Sequence, residues 1–247
     1  MDHFAPNLRS RWGLSPYSDR NEPTVMFGNY RPIDHSFLKN HRGPIIMIWG
    51  GADMDGNKAI NLDNRPNSYQ HGYGWISETL SKWNVKHKVF NLPLRSYDNF
   101  KPTPLGDKIY LYKGWLRDRS SYFMWDKWIT PLMKALGEDR FIHGMGHSHE
   151  YVHEHFYQNS FLYIKPNDRG GSTSMWELAH MGRKTIANGQ GHAPNTIGFK
   201  NIQDILKIIE SESSKIGTIQ NQVAIDTHNH FMHDSCWLNL DWWKHER

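Results

Sequence analysis

The chain has 247 residues, of which 38% are hydrophobic and 22% are charged, and its mean hydropathy is −0.73. This composition leaves enough apolar side chains for one large or two small folded domains, which excludes a disordered or fibrous protein. The single cysteine, Cys236, excludes an internal disulfide framework and a cysteine-rich metal centre. It favours a reducing compartment, with the cytoplasm as the default.

Hydropathy and charge indicate which classes of binding partner the protein can have. The longest apolar runs, such as residues 44–49, are far shorter than the roughly 20 residues that cross a bilayer, and the polar N-terminus lacks a signal-peptide core. We therefore expect a soluble, non-secreted protein with no membrane partner. Residues 1–106 hold 13 Lys/Arg against 9 Asp/Glu, whereas residues 107–247 hold 16 of each. An acidic partner would meet the first part, although so modest an excess also fits an ordinary solvated surface.

Short apolar runs alternate with longer amphipathic stretches, which is typical of an α/β protein. In the first part, residues 24–30 and 44–50 have the composition of buried parallel strands. Residues 75–83 have helical spacing, and residues 88–92 predict another strand. Residues 95–106, with two prolines and a final glycine, form the best candidate linker.

A second α/β unit follows this linker. Its strand–helix alternation predicts a doubly wound parallel sheet, whose ligands bind at the carboxyl ends of the strands. The predicted strands are residues 108–112, 140–143, 161–164 and 184–187, and the predicted helices are residues 124–136, 149–158, 174–181 and 202–216.

The strongest local motif lies between the strand at 161–164 and the helix at 174–181. Its two glycines let the backbone approach a ligand, and the hydroxyl side chains that follow can cap the helix, whose free amides face an anion. A carboxylate about one turn into the helix can accept hydrogen bonds from a ribose diol. A phosphate or diphosphate fits this site, and an ordinary capped helix is the alternative. The candidate ligands are Gly170, Gly171, Ser172, Thr173 and Glu177.

This motif resembles the nucleotide-sugar-binding half of GT-B glycosyltransferases, most closely the family-4-like group. Their signature is a glycine-containing turn, a helix with a glutamate, then a small residue and Met-Gly before a strand. The resemblance covers roughly residues 107–217 and is weaker over residues 24–100. The matching residues are Gly170, Gly171, Glu177, Ala179, Met181 and Gly182. The family has a second glutamate before the turn, where this chain has Arg169 with Asp168 beside it.

The resemblance implies a GT-B architecture of two Rossmann-like doubly wound domains with a cleft between them. Residues 1–106 would be a minimal acceptor-binding domain, residues 107–217 the nucleotide-sugar-binding domain, and residues 218–247 a tail that packs back on the first domain. The donor would be a nucleotide diphosphate sugar, a UDP-sugar being the first choice, and no metal or other cofactor would be required.

In such enzymes positive side chains and the helix N-terminus stabilise the leaving diphosphate. The first loop of the second domain begins at Gly114 and offers Arg117 and Arg119, with Lys127 further on. A solvated loop is the alternative interpretation. In the first domain, Asp53 follows a buried strand, where its carboxylate can act as the base for the acceptor hydroxyl or can merely close a turn. Asp55 is the reserve candidate.

The sixteen histidines need a separate interpretation. The resemblance places the segment from Gly144 to His147 near the nucleotide base, as a donor-pocket loop. Residues 226–230 imitate the Asp-x-His-x-His motif of metallohydrolases, but that motif ends an early barrel strand, whereas here it follows the last helix predicted for the second unit. We therefore expect no metal ligands among them. Residues 231–243 predict a C-terminal helix.

These observations favour a glycosyltransferase. The basic, aromatic first part and the compact size favour a polyanionic acceptor. The overall composition, rich in Asn, Lys and Trp, and the minimal acceptor domain are similar to those of bacteriophage enzymes that glycosylate 5-hydroxymethylcytosine in DNA, including arabinosyltransferases. The first hypothesis is therefore a transferase with double-stranded DNA as acceptor, acting in the host cytoplasm. The alternatives are a bacterial surface-glycan glycosyltransferase, a non-catalytic DNA-binding module and a metallohydrolase.

Overall fold

The computed structural model describes residues 9–10, 12–29, 31–49, 68–72, 75–89, 97–114, 118–166, 173–188 and 193–233. The chain divides into two compact units, one of residues 1–96 with 231–247 and one of residues 97–230. Over the described ranges, no helix has both the length and the apolar character needed to cross a membrane.

The first unit contains a parallel sheet of four strands in the order β1-β2-β3-β4. Its central strand β2 is buried along its whole length, with Ile45 and Met47 fully inaccessible, because a parallel strand between neighbours is covered on both faces. Leu38 and Leu80 pack against these strand residues from two helices. The elements are β1 Thr24–Phe27, α1 Pro32–Asn40, β2 Ile45–Ile48, β3 Tyr69–Gly72, α2 Trp75–Lys82 and β4 Lys88–Val89.

The second unit contains a parallel sheet of five strands in the order β6-β5-β7-β8-β9. Strand β5 lies beside both β6 and β7, so the chain winds in one direction from β5 to β6 and in the other direction from β7 onward. The strands are β5 Lys108–Leu111, β6 Phe141–Ile142, β7 Ser160–Lys165, β8 Lys184–Ala187 and β9 Thr196–Ile197.

The helices of the second unit cover both faces of this sheet. Two of them contain π-helical turns, Trp125–Ile129 before α3 and Val152–Tyr157 after α4. The α-helices are α3 Thr130–Leu136, α4 His149–Tyr151, α5 Thr173–His180, α6 Ile202–Ser213 and α7 Asn221–His233, and Glu138–Arg140 form a 3-10 turn.

Side chains along β5 and β7 point alternately to the two faces of the sheet, and the core of the second unit is therefore divided into two clusters. Ile109 and its register partner Leu162 face a cluster that includes residues of α3 and α6. Tyr110 and its register partner Tyr163 face a second cluster, which includes Tyr157 and residues of α5. Because successive strand side chains point to opposite faces, one pair of buried strands organises both layers of helices.

The structure confirms the predicted α/β class and most predicted elements, and it adds some that the sequence pattern did not reveal. Helix α1 was not predicted, although Pro32 at its start is a helix-start signal; the Asp34 carboxylate in its first turn accepts a hydrogen bond from the Arg31 backbone amide. Strand β3 was not predicted because Tyr-Gln-His-Gly lacks the apolar run of a buried strand. The expectation that residues 226–230 follow the last helix was wrong, because they lie within α7. Residues 234–243 of the predicted C-terminal helix lie outside the described residues.

Arg183, between α5 and β8, is fully buried, and its charged side chain holds several segments together. Burial lowers the pKa of Arg183 to about 10, so the guanidinium stays charged at neutral pH. It is preceded by Gly182, whose φ of +88° and close approach to the Gln220 carbonyl suit glycine alone. The guanidinium donates to the carbonyls of Thr103 (3.1 Å), Pro104 (2.9 Å), Gln158 (3.3 Å), Ser160 (3.2 Å) and Met181 (2.5 Å).

Replacing this guanidinium should destabilise the protein without changing its fold. Arg183→Lys keeps the charge but loses the planar fork of donors, which leaves buried carbonyls without partners. We expect the free energy of unfolding in urea to fall by about 2–4 kcal/mol. Arg140→Lys is the control, because no hydrogen bond joins the Arg140 guanidinium to a described residue. Equal unfolding curves for the two variants would contradict this account of Arg183.

Candidate functional site

The site begins where the second sheet changes its winding direction, at the carboxyl ends of β5 and β7. In open parallel sheets the loops diverge at such a point and leave a crevice for ligands. The loop after β5 starts at Lys113 and Gly114, and the loop after β7 leads from Lys165 to the N-terminus of α5. The loop after β6, on the other side of β5, leads to α4. Side chains from these three loops and the helices that follow them form the candidate site.

Glu177, in α5, lies at the centre of a hydrogen-bonded group of side chains. Its side chain is 1% exposed, and both carboxylate oxygens accept hydrogen bonds. His149 Nε2, at the start of α4, lies 3.1 Å from Oε1, and the Tyr157 hydroxyl lies 2.8 Å from Oε2. The same hydroxyl lies 2.9 Å from Ser174 Oγ, in the first turn of α5. The carboxylate therefore links α4 and its π-helical continuation to α5.

The chemistry of this group follows from its burial. Burial raises the pKa of Tyr157 well above its usual value, and the neighbouring Glu177 charge raises it further. Tyr157 therefore stays protonated and donates to the carboxylate. Burial also lowers the pKa of His153, one turn along from His149, with His149 as the next cause. Of these side chains, only that of His149 is substantially exposed, at 40%.

Two positively charged side chains, Lys113 and Arg119, lie in the segment after β5. Lys113 pairs with Asp118 at 3.2 Å, its ammonium lies 5.4 Å from the Trp125 ring centre, and its carbonyl accepts from the Arg119 amide. Hydrogen bonds from Ser120 lower the pKa of Asp118 to about 2. The Arg119 guanidinium lies 4.4 Å from the centre of the Tyr122 ring. No hydrogen bond ties its N–H groups to a described residue, which leaves them available to an anion.

The loop after β6 is held by close packing around Gly144. A Cβ at this position would lie 2.7 Å from His147 Nε2 and 2.8 Å from Phe156 Cζ, so a larger residue would displace these two rings. The His147 ring stacks on Tyr151 with 4.4 Å between centres, and Tyr151 stacks on His155 at 4.0 Å. The structure thus brings two predicted site residues, Gly144 and His147, into contact.

The other predicted site residues are placed as follows. Thr173 begins α5, Gly114 is buried with a φ of +131°, and Glu177 forms the buried group. Lys127 is exposed, its ammonium lies 4.7 Å from the Trp128 ring centre, and no described contact joins it to Glu177, His147 or Arg119. The residues that lie outside the described ranges are Asp53, Arg117, Gly170, Gly171 and Ser172.

The metallohydrolase-like motif has a different environment from the one its pattern imitates. On a helix, Asp226 and His230 lie on one side and His228 on the other, since neighbours are three or four residues apart. Asp226 accepts hydrogen bonds from Gln222 and Asn195, and the His230 ring stacks on Trp176 at 5.7 Å. Within the described ranges, no group of three or more His, Cys, Asp or Glu side chains has the arrangement of a metal site.

The first unit has a cavity of its own, of about 590 Å³, beside its edge strand β1. Aromatic rings of Tyr17, Phe27 and Phe37 line it. Its walls carry Arg9 and Arg31, but also three carboxylates, Asp19, Glu22 and Asp34. The described part of this unit therefore presents a cavity of mixed charge rather than a uniformly basic one.

Sequence reasoning missed Lys113, His149 and Tyr157 as site residues. The sequence could have indicated Lys113, since this residue directly follows the predicted strand at residues 108–112 and precedes Gly114. For His149 the sequence indicated only that it begins the predicted helix at residues 149–158. Tyr157 had no signal, because its approach to Glu177 depends on the π-helical turn through Tyr157, which no sequence period reveals.

Comparisons with known proteins bear on the fold. No family model matches this chain, and no curated protein sequence does so. The solved structure of sucrose-phosphate synthase from Thermosynechococcus elongatus is similar, with a TM-score of 0.55 and 13% identity over 84% of this chain and 69% of that one. An alpha1,3-fucosyltransferase structure matches over 91% of this chain and 86% of its own, with 10% identity and a TM-score of 0.39. The first likeness and the two parallel sheets together show a GT-B fold.

The buried group should contribute to stability. Tyr157→Phe removes the donor to Glu177 Oε2 and leaves a buried carboxylate oxygen without that partner. We expect the free energy of unfolding to fall by about 1–3 kcal/mol in urea titrations. Tyr151→Phe, at a residue that is 39% exposed and whose hydroxyl has no hydrogen bond to a described residue, should change it by less than about 0.5 kcal/mol. A Tyr157→Phe protein as stable as the unmodified chain would show that the hydrogen bond to Glu177 is dispensable.

Proposed function

We propose that the chain is a glycosyltransferase that takes a nucleotide diphosphate sugar as donor. The observation that carries this proposal is the position of Glu177, one turn into the helix that follows β7, at the switch point of a GT-B-type sheet. That position matches the glutamate that the sequence resemblance assigns to the donor ribose. The similarity to sucrose-phosphate synthase supports the fold in which such a site occurs.

The donor lies at the carboxyl edge of the second sheet in this proposal. Glu177 accepts hydrogen bonds from the ribose, and the N-terminus of α5, with Gly170 and Gly171 before it, holds the diphosphate. The loop at Gly144 and His147 faces the base. Support comes from the strand order, which makes β6, β5 and β7 neighbours, so that their carboxyl ends lie at the switch point where α/β sheets bind nucleotides.

The transfer step breaks the bond between the anomeric carbon and the diphosphate oxygen and forms a bond from that carbon to the acceptor oxygen. The electron pair of the broken bond goes to the diphosphate, whose growing charge must be countered. Arg119 and Lys113 are the described cations after β5, and Arg117 is the third candidate. With these groups and the helix N-terminus, the reaction requires no resident metal or cofactor in our proposal. The acceptor proton passes to a base, for which Asp53 is the candidate.

The proposed acceptor is the hydroxymethyl group of 5-hydroxymethylcytosine in double-stranded DNA. Support comes from the basic excess of residues 1–106 and from the resemblance of this minimal acceptor half to phage enzymes. The mixed charge of the cavity beside β1 favours a localised acceptor site over a uniformly basic groove. A target base would have to leave the helical stack to react. The single cysteine, Cys236, agrees with action in the cytoplasm of a host cell.

The donor site can be tested at Glu177. Glu177→Gln keeps the size of the side chain but removes its charge, so a ribose hydroxyl loses a charged acceptor. We expect the affinity for the nucleotide diphosphate to fall by about 1–2 kcal/mol in isothermal titration. Glu210→Gln, on the exposed face of α6, should bind as the unmodified chain does. Undiminished affinity in a folded Glu177→Gln protein would remove the ribose assignment.

The acceptor can be tested by transfer of labelled sugar. We expect the chain to move label from one member of a nucleotide-sugar panel into duplex DNA containing 5-hydroxymethylcytosine, and not into unmodified DNA of the same sequence. Label found only in bacterial surface glycan would contradict the DNA acceptor and support the alternative, a bacterial surface-glycan glycosyltransferase. DNA binding without transfer from any nucleotide sugar, and without binding of any nucleotide diphosphate, would favour the non-catalytic module and contradict the glycosyltransferase.

A further inference from the structure

The cavity beside β1 follows the free edge of the first sheet. Strand β1 pairs with β2 on one side, and within the described ranges no strand pairs with its other side. Consecutive side chains of a strand point to opposite faces, yet Thr24, Val25, Met26 and Phe27 all line the cavity. The surface that these four residues share, away from β2, is the free edge of the strand. The cavity therefore lies along the backbone of β1.

Backbone groups of β1 face this cavity. The N–H groups of Thr24 and Gly28 donate to carbonyls on the β2 side, at 2.9 and 2.8 Å. Because a strand has a period of two residues, the N–H and C=O groups of Val25 and Phe27 point away from β2. No described residue forms a hydrogen bond with these outward groups. The edge thus offers two donors and two acceptors, in alternation, to a ligand.

Aromatic rings form the apolar part of the cavity wall. Tyr17 and Phe37 both line the cavity, and they are 44% and 41% exposed, although their rings contact each other with 5.1 Å between centres. The Tyr17 hydroxyl lies 3.3 Å from Nδ1 of the buried His41, which helps to fix the ring. Aromatic faces that are held in place and still exposed can bind flat ligands by stacking.

The charges of the wall nearly balance. Arg9 and Arg31 line it together with Asp19, Glu22 and Asp34, and Arg31 pairs with Asp34 at 3.2 Å. The slight acidic excess disfavours a diphosphate, and the near balance gives little attraction for a strongly charged ligand of either sign. An uncharged polar ligand fits better. The volume of about 590 Å³ lies in the range of small-molecule sites.

We propose that this cavity binds a nucleobase, whose edge pairs with the backbone of Val25 and Phe27 and whose face stacks on the rings of Tyr17 and Phe37. A nucleobase combines a flat face with donors and acceptors along one edge, which are the two features that the cavity presents. An extended peptide also pairs with a strand edge, but its backbone offers no flat face to the two rings.

The inference rests on the proposed function for the source of the base, which would be the DNA acceptor. A free nucleoside offers the same chemistry. The experiment therefore presents the base in both forms, and it measures nucleotide diphosphate binding separately.

The test follows solvent exchange of individual backbone amides of the full chain by nuclear magnetic resonance. The probe is 5-hydroxymethyl-2′-deoxycytidine, free and within a DNA duplex. At a nucleoside concentration about ten times its dissociation constant, we expect exchange of the Val25 and Phe27 amides to slow about tenfold. The Met26 amide, which faces β2, should be unchanged. UDP, GDP and ADP should leave all three amides unchanged, because the acidic excess of the wall disfavours their diphosphate.

Phe37→Ala tests the stacking surface, with Ile33→Ala as its matched control. Both side chains are exposed on α1, about one turn apart, and Ile33 is not part of the cavity wall. Loss of one stacking ring should weaken nucleoside binding about tenfold, whereas Ile33→Ala should bind the nucleoside as the unmodified chain does. Neither substitution should alter the affinity for UDP, GDP or ADP, which a general loss of structure would lower.

Two results would overturn the inference directly. One is unchanged exchange at Val25 and Phe27 with both forms of the probe, and the other is equal nucleoside affinity of Phe37→Ala and Ile33→Ala. Protection of the two amides by a tetrapeptide of alternating threonine and valine, but not by the nucleoside, would also overturn it, because the cavity would then accept a strand. Protection by the nucleoside but not by the duplex would support the nucleobase site and identify a free nucleoside as its source.

Failure of this inference can be distinguished from failure of the proposed function. Binding of a nucleotide diphosphate to the second unit, with no base bound beside β1, would overturn the inference and leave the proposed function standing. Binding of the base beside β1, with no nucleotide diphosphate bound anywhere, would overturn the proposed function and leave the nucleobase site standing.

Discussion

The structure of the second unit depends on the buried guanidinium of Arg183. Arg183 is fully buried, yet it has no carboxylate partner among the described residues; its guanidinium instead donates to five backbone carbonyls. Those carbonyls belong to the segment that enters β5, the turn and first residue of β7, and the turn after α5. Because an unpaired buried guanidinium is costly, each of these segments must stay in place. The carboxyl ends of β5 and β7 can then be positioned precisely, since their amino ends are anchored.

At the carboxyl ends of the same strands, the polar side chains are less uniformly buried than Arg183. Glu177 is held from the protein side by Tyr157, whereas His149 covers it from a more exposed position. Lys113 and Arg119 follow β5, where aromatic rings and Asp118 hold them. The unit thus combines an anchored edge, which sets strand positions, with a second edge whose charges are available for an anionic ligand.

Much of this architecture could be predicted from the sequence. Buried strands such as β2 and β7 are continuous apolar runs, and Gly137, Gly182 and Gly217 mark ends of helical stretches. Strand β3 could not be found, because pairing with its neighbours, not composition, makes it a strand. At the site, the position of Glu177 followed from its motif. Its partners did not, since a side-chain contact across 20 or 28 residues depends on packing that no local period records.

The central claim is that a nucleotide diphosphate binds at the carboxyl edge of the second sheet. Hydrogen–deuterium exchange of the full chain, with and without a saturating nucleotide diphosphate from a UDP, GDP and ADP panel, tests it most directly. Binding there should slow exchange in peptides covering residues 143–157 and 173–180, because the ligand would order the loop after β6 and the start of α5, and should leave β1 and β2 unchanged. Unaltered exchange in both peptides with every nucleotide, or protection confined to the first unit, would contradict the account.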